Sequence, residues 1–324
     1  MKIRNIALAS AAVLFCTASI SATTIAHTWV SGSGNDSNTC TFASPCATFT
    51  GALAKTTAGG MITAKDAGDF GAVSIAQSVT IDGNNLGSIT YTSGNGISIS
   101  ASANVIVQNL TINGLGTASE GINVASGGTV IVDNCRIMNI TAMGIYFAGA
   151  GNMTVENSRI ESLIGSSVTG IYNLANAAQN VVVRNTIIDA SPGSAGNSGF
   201  IVNQGAGPVK TSLQNVTIMG AGNGYAVATG TGVTEITGSV LTQSGYGVYA
   251  NYGATISVAS SLITANTTGV HSDTGSKIRL DNNDIYDNTT AIDNGGGIVK
   301  TSGTNKTSGT IAIPAADISE SVTF

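Results

Sequence analysis

The feature that most constrains this chain is a sentence it repeats. GIYFAGAGNMTVENSRI (144–160) returns as GVYANYGATISVASSLI (247–263) and GVHSDTGSKIRLDNNDI (269–285). GISISASANVIVQNLTI (96–112) and GINVASGGTVIVDNCRI (121–137) have the same seventeen-residue length. Looser copies open at Gly170, Gly199 and Gly224. The opening glycines at 96, 121, 144, 170, 199, 224, 247 and 269 are spaced 25, 23, 26, 29, 25, 23 and 22 residues apart. Repeats of this period signal a stacked architecture, in which each copy buries what it cannot bury alone against its neighbours.

Within a copy the pattern is glycine, alternating apolar residues, a polar gap, and a second alternation ending in N-x-x-apolar. Period-two alternation marks strands with one buried face. Two or three strands per 22–29 residues, with no helical stretch between them, cannot close a compact sheet. They can form one coil of a solenoid, each strand pairing in parallel with its counterpart in the next coil. Crossover handedness makes the coil right-handed, and the hexapeptide period of a left-handed β-helix is absent. The expected fold is therefore all-β, a right-handed parallel β-helix of about ten coils with a short N-terminal capping helix. Small and β-branched residues favour this, with 42 glycines among 324 residues and only 9% charged.

The fourteenth position of the copy is Asn109, Asn134, Asn157, Asn185, Asn215 and Asn282, with Gly238 and Ser260 completing the column. A polar residue recurring beside buried valine and isoleucine needs a partner. Stacked amides supply donors and acceptors to one another, so the column reads as an interior asparagine ladder that also fixes register.

The ends read differently. Residues 1–22 resemble an export signal: Lys2 and Arg4, then a short apolar run and small residues. No later segment is long enough to span a bilayer, so a secreted or periplasmic location is expected. Residues 23–70 are expected to cap the first coil, 71–294 to form the coils, and 295–324 to form a C-terminal cap or tail. Ser44-Pro45 reads as the start of the capping helix, with Phe49 and Leu53 on one face and Gly59-Gly60 as its stop. Cys40 and Cys46 are the natural disulfide pair in an oxidising compartment. Cys135 then remains, as a buried filler.

Three groups of side chains could carry function. Counting from each opening glycine, the third position reads Ser98, Asn123, Tyr146, Tyr172, Ile201, Ala226, Tyr249 and His271. Tyr146, Tyr172, Tyr249 and His271 form a candidate substrate-binding column, because exposed rings make a platform for sugars. Asp133, Glu156 and Arg184 beside Arg136 and Arg159 make a second face, either a surface ion-pair network or a seat for an acidic sugar. The third group holds His271, Asp273, Arg279, Asp281, Asp284 and Asp287. Asp281 and Asp284 flank Asn282, and two carboxylates are the minimum for glycoside hydrolysis. His271, Asp281 and Asp284 are thus the candidate catalytic residues. No cofactor is required, although acidic oxygens here could ligate calcium; no metal site is assigned. A net charge of -5 lacks the basic footprint of a nucleic-acid binder.

The coils and asparagine column resemble the pectin-lyase-like superfamily of right-handed parallel β-helix proteins. TWVSGSGNDSNTCTFASPCATFTGALAKTTAGG followed by GDFGAVSIAQSVTIDG is similar to the capped start of secreted bacterial members, and the resemblance covers about 28–300. It implies a fold that hosts lyases, hydrolases, epimerases, adhesins and binding proteins. The polygalacturonase-like motifs are missing: there is no Asp-Asp pair and no Gly-His-Gly, and Lys277-Ile278-Arg279 has the wrong order. None of the prolines at 45, 192, 208 and 314 stands in the Arg-rich context of a pectate lyase. No catalytic residue carries over. The expected function is polysaccharide binding along a sheet face without catalysis. The alternatives are a lyase or glycoside hydrolase with a diverged site, and a surface structural or adhesin-like protein.

Overall fold

The computed structural model describes residues 25–312, apart from 101, 192–195, 204 and 206. The expected signal segment 1–22 and the tail beyond 312 lie outside the described residues. The fold is a right-handed parallel β-helix of about eleven turns. A typical coil contributes Glu120–Val124, Gly128–Asp133 and Arg136–Ile140, one strand to each of three sheets. We call these the tyrosine sheet, the middle sheet and the short sheet. Among the described residues they hold 11, 12 and 11 strands respectively.

Every strand in the stack pairs in parallel with its counterpart one coil away. In the tyrosine sheet one interior column runs Ile97, Ile122, Ile145, Ile171, Phe200, Val227, Val248, Val270 and Ile292. The short sheet contributes Ile112, Ile137, Ile160, Ile188, Ile218, Leu241, Ile263 and Ile285. All of these are buried. Each such side chain removed from water stabilises the fold by roughly 1.5–3 kcal/mol, so the repeated apolar letters account for the stack.

The opening glycine is required by close approach. A Cβ on Gly121 would lie 2.5 Å from the Gly144 carbonyl oxygen and 2.5 Å from a methyl of Ile137. One copy carries Ala226 at this place, because Val227 pairs with both Phe200 and Val248. Aligning that copy on Gly224 therefore shifts it by two residues, and the column member is Ala228, not Ala226.

The asparagine column requires the main correction. Asn134, Asn157, Asn185, Asn215 and Asn282 are exposed and Asn109 is half-buried, so the ladder is not interior. It sits at the bend between the middle and short sheets. Its residues have φ from 49° to 55°, and Ser260 at 50° and Gly238 at 58° are also left-handed. Asparagine tolerates this left-handed conformation better than most residues, and backbone demand explains the recurrence. The amides still bond between coils: Asn134 Nδ2 donates to Asn109 Oδ1 at 2.8 Å and Asn215 Nδ2 to Asn185 Oδ1 at 2.8 Å.

The interior ladder is formed by the next residue along. Cys135 N–H donates to Ser158 Oγ at 3.1 Å, Ser239 N–H to Ser261 Oγ at 3.1 Å, and Ser261 N–H to Asn283 Oδ1 at 3.0 Å. A parallel interior column occupies the turn into the tyrosine sheet. There Ser244 N–H donates to Asn266 Oδ1 and Asn266 N–H to Asn288 Oδ1, both at 3.0 Å.

Both ends extend the stack beyond the expected limits of 71–294. Ile25–Val30 and Thr56–Ala64 already belong to the middle sheet, and Ile298–Thr301 extends it at the other end. The capping helix is shorter than expected, Phe49–Leu53, with Thr48 as N-cap instead of Ser44. Residues before it are held elsewhere: Cys46 bridges to Val30 and is joined to Cys40 by the disulfide. Gly59 and Gly60 lie inside a strand and do not stop the helix. Phe49 meets Phe70 edge-on, with ring centroids 5.2 Å apart, and this closes the first coil.

Candidate functional site

The outward column of the tyrosine sheet reads Ser98, Asn123, Tyr146, Tyr172, Ile201, Ala228, Tyr249, His271 and Asp293 along the axis. Tyr146 and Tyr172 lie against each other, their ring centroids 5.9 Å apart. The next two members are short, so the surface drops over Ile201 and Ala228 before rising at Tyr249. With coils about 4.8 Å apart, Tyr172 and Tyr249 are separated by roughly 14 Å along the axis. The drop is a groove of about 190 Å³, bordered by Tyr172, Asn203, Tyr225, Tyr249 and Tyr252. Tyr252 stands on the following turn at φ 49° and is 65% exposed.

The far wall of the groove is an aromatic cluster. Tyr225 pairs in register with Tyr246, with ring centroids 5.4 Å apart, and lies 4.8 Å from Tyr249. Burial raises the pKa of Tyr146, Tyr172, Tyr225 and Tyr249 above the ordinary phenol value. These hydroxyls are therefore neutral donors at physiological pH.

Behind Tyr249 lies a polar relay. Tyr249 Oη donates to Asp273 Oδ2. His271 Nε2 lies 2.9 Å from Asp273 Oδ1, and Nδ1 lies 2.9 Å from Asp293 Oδ2. The imidazole is largely covered, whereas the two carboxylates are more than a third exposed. Burial alone would raise the pKa of Asp273. Hydrogen bonds from Tyr249 and His271, with the charge of His271, instead hold it below the usual carboxylate value.

The structure does not gather the three candidate catalytic residues. His271 faces outward from the tyrosine sheet, Asp281 ends a middle-sheet strand, and Asp284 begins a short-sheet strand. Asp281 accepts hydrogen bonds from Ser302 and Thr304, and Asp284 pairs with Lys306 at 3.5 Å. The buried neighbour between them is Asn283; Asn282 points outward. His271 instead meets Asp273 and Asp293. The sequence held a signal for both: Asp273 is two residues on, hence on the same strand face, and Asp293 is one 22-residue coil further. Tyr225 was hidden by the misplaced glycine alignment.

The charged group also divides. Glu156 pairs with Arg184 at 2.6 Å, and Asp133 accepts from Asn157 at 2.8 Å, both on the middle sheet. Arg136 and Arg159 converge on Glu161, a buried carboxylate of the short sheet. Burial would raise the Glu161 pKa, but hydrogen bonds and charge from Arg159 and Arg136 lower it. Among the described residues, no group of three or more His, Cys, Asp or Glu could hold a metal ion. No helix among them is long and apolar enough to cross a membrane.

A family model described as "Right handed beta helix region" matches residues 71–211 and 198–314. No curated protein matches the chain. Among solved structures, the chain is similar to the pectate lyase Pel9A, with a TM-score of 0.60 and 15% identity over 92% of this chain and 79% of that one. It is also similar to the A-module of the mannuronan C-5 epimerase AlgE6 of Azotobacter vinelandii, at a TM-score of 0.54 and 12% identity, covering 75% and 71% of the two chains. ORF18 of Geobacillus virus E2 gives 0.58 and 11%, covering 76% of this chain and 53% of that one. At these identities the likeness is one of fold.

Proposed function

We propose that this chain, which belongs to the right-handed β-helix family, binds extracellular or cell-surface polysaccharide along its tyrosine sheet without catalysis. One observation carries the reading: the groove over Ile201 and Ala228, walled by Tyr172 on one side and Tyr225, Tyr249 and Tyr252 on the other. Aromatic rings offer flat apolar faces to the C–H surfaces of sugars, and neutral phenols offer hydrogen bonds to their hydroxyls. The fold is shared with a pectate lyase and a mannuronan epimerase, which makes a long glycan a natural occupant of such a face. Residues 1–22 act in this reading as an export signal, placing the chain outside the cell or in the periplasm. The test is affinity electrophoresis of the purified chain in gels loaded with a polysaccharide panel. Retardation by at least one polymer, relieved in Tyr172→Ala, supports the proposal. Unretarded migration in every gel removes it.

A second reading, a polysaccharide lyase or glycoside hydrolase with a diverged site, is favoured by the relay Tyr249–Asp273–His271–Asp293. It places a histidine and two partly exposed carboxylates beside the groove. Release of new reducing ends, abolished in His271→Ala, would establish it. No release across the panel leaves binding as the function.

A further inference from the structure

We infer that the glycan taken by the tyrosine groove is uncharged, in contrast to the pectate and mannuronan after which its structural neighbours are named. The inference rests on the binding reading above and adds the substrate class.

The observation is where the cations are. Between residues 95 and 297 the chain has six lysines and arginines: Arg136, Arg159, Arg184, Lys210, Lys277 and Arg279. All six lie in strands of the middle or short sheet. None falls in a strand of the tyrosine sheet or in the turns that flank it, although that sheet runs through the whole span. The face instead presents carboxylates. Glu120 lies on one of its strands near Tyr146, and Asp273 and Asp293 lie beside Tyr249. His271 is the one titratable base there, and both its ring nitrogens are engaged by Asp273 and Asp293.

A polyuronate carries one negative charge per sugar. Seating it here would bring that charge toward Glu120, Asp273 and Asp293 with no arginine or lysine to pair it, and an unpaired anion near a low-dielectric surface is unfavourable. The residues that border the groove suit the opposite chemistry. Ile201 and Ala228 give an apolar floor, the tyrosine rings give flat walls, and Asn203 and the neutral phenols give uncharged hydrogen bonds. Apolar ring faces edged with hydroxyls are the surface of a neutral sugar.

The test uses the full chain in affinity electrophoresis at 20 and 300 mM NaCl (about a threefold to fourfold change in Debye length). The gels hold neutral polymers (hydroxyethyl cellulose, β-1,3-glucan, xylan, galactomannan), polygalacturonate, alginate, and chitosan as a cationic arm. The expected result is retention by a neutral polymer that changes less than about twofold between the two salts, because no ion pair is made. Tyr172→Ala should weaken it about tenfold, the loss of one stacked ring. Tighter retention by polygalacturonate, alginate or chitosan, salt-sensitive and lost in Tyr172→Ala, overturns the inference but leaves the binding reading intact. Retention by no polymer, or retention indifferent to both Tyr172→Ala and Tyr252→Ala, overturns both. A thermal melt of each variant confirms that the fold is kept.

Discussion

Tyr249 and His271 stack on adjacent coils, their planes 9° from parallel and their centroids 5.1 Å apart, while both hydrogen-bond the same carboxylate, Asp273. The aromatic wall of the groove and the histidine relay are therefore one assembly. A change made in either reaches the other through Asp273.

His271→Ala should lower stability by about 0.5–1.5 kcal/mol, because Asp273 and Asp293, each more than a third exposed, lose the imidazole that bridges them. Thermal unfolding measures this, and an unchanged midpoint would show the relay to be incidental. Asp273 and Glu161 should also contribute to the acid limb of stability. Both have folded pKa values below those of the unfolded chain. Their stabilisation is thus complete above the unfolded carboxylate pKa of about 4, and is lost as pH falls through the lower folded values. Glu161→Gln should flatten the acid limb of a stability–pH curve as well as lower its plateau. A limb identical to that of the parent chain would deny Glu161 this role.

The exposed asparagine column makes a sharper contrast. Asn134 has φ 49° and its neighbours in the column include Gly238. If backbone conformation is what the position demands, Asn134→Gly should change stability by only a few tenths of a kcal/mol, whereas Asn134→Ala should cost about 1–2 kcal/mol. Equal losses from both would return the role to the amide itself. Urea unfolding of the pair of variants resolves this.

Interior asparagines should behave otherwise. Asn266 accepts from Ser244 N–H and donates to the Leu241 carbonyl, and both residues around it are buried. Asn266→Ala strands those backbone groups and should cost about 2–4 kcal/mol. Glycine at this site should be no better than alanine, the reverse of the pattern at Asn134.

Cys135 is buried and desolvation pushes its thiol pKa up to about 12. It should resist a thiol reagent at pH 8 in the folded chain and react promptly in denaturant, as followed by mass mapping of the labelled peptide. Rapid native labelling would mean that the coils around it open easily.

Tyr146→Ala combined with Tyr249→Ala should reduce glycan affinity by more than tenfold if the two rings each contribute about 1 kcal/mol to binding. Unchanged retardation in the gel would remove the tyrosine face as the binding surface.

The fold was legible because period-two alternation within each copy and a glycine recurring between copies leave few architectures open. The disulfide of Cys40 and Cys46 followed from proximity in the chain. What the sequence hid was a matter of one or two residues. An asparagine at a left-handed bend and an asparagine facing inward are written with the same letter, so in the sequence Asn282 reads as the interior rung that Asn283 forms. Ala226 in the place of a glycine displaced one copy and concealed Tyr225. His271, Asp281 and Asp284 sit within one copy, yet three sheets separate what the chain brings close. Adjacency in a solenoid is measured one coil away, and that is where Asp293 stands relative to His271.

In the last coils the inward hydrogen bonds join residues a constant 22 positions apart, from Ser244 to Asn266 to Asn288 and from Ser261 to Asn283 to Asn305. Removing or duplicating one such stretch returns every strand to an equivalent partner. This half of the molecule can therefore change its length in whole steps during descent, as a ladder gains or loses a rung, without repair to any other part. The earlier coils, with their unequal loops, have no such freedom, and the groove between Tyr172 and Tyr252 lies where regular length gives way to individual shape.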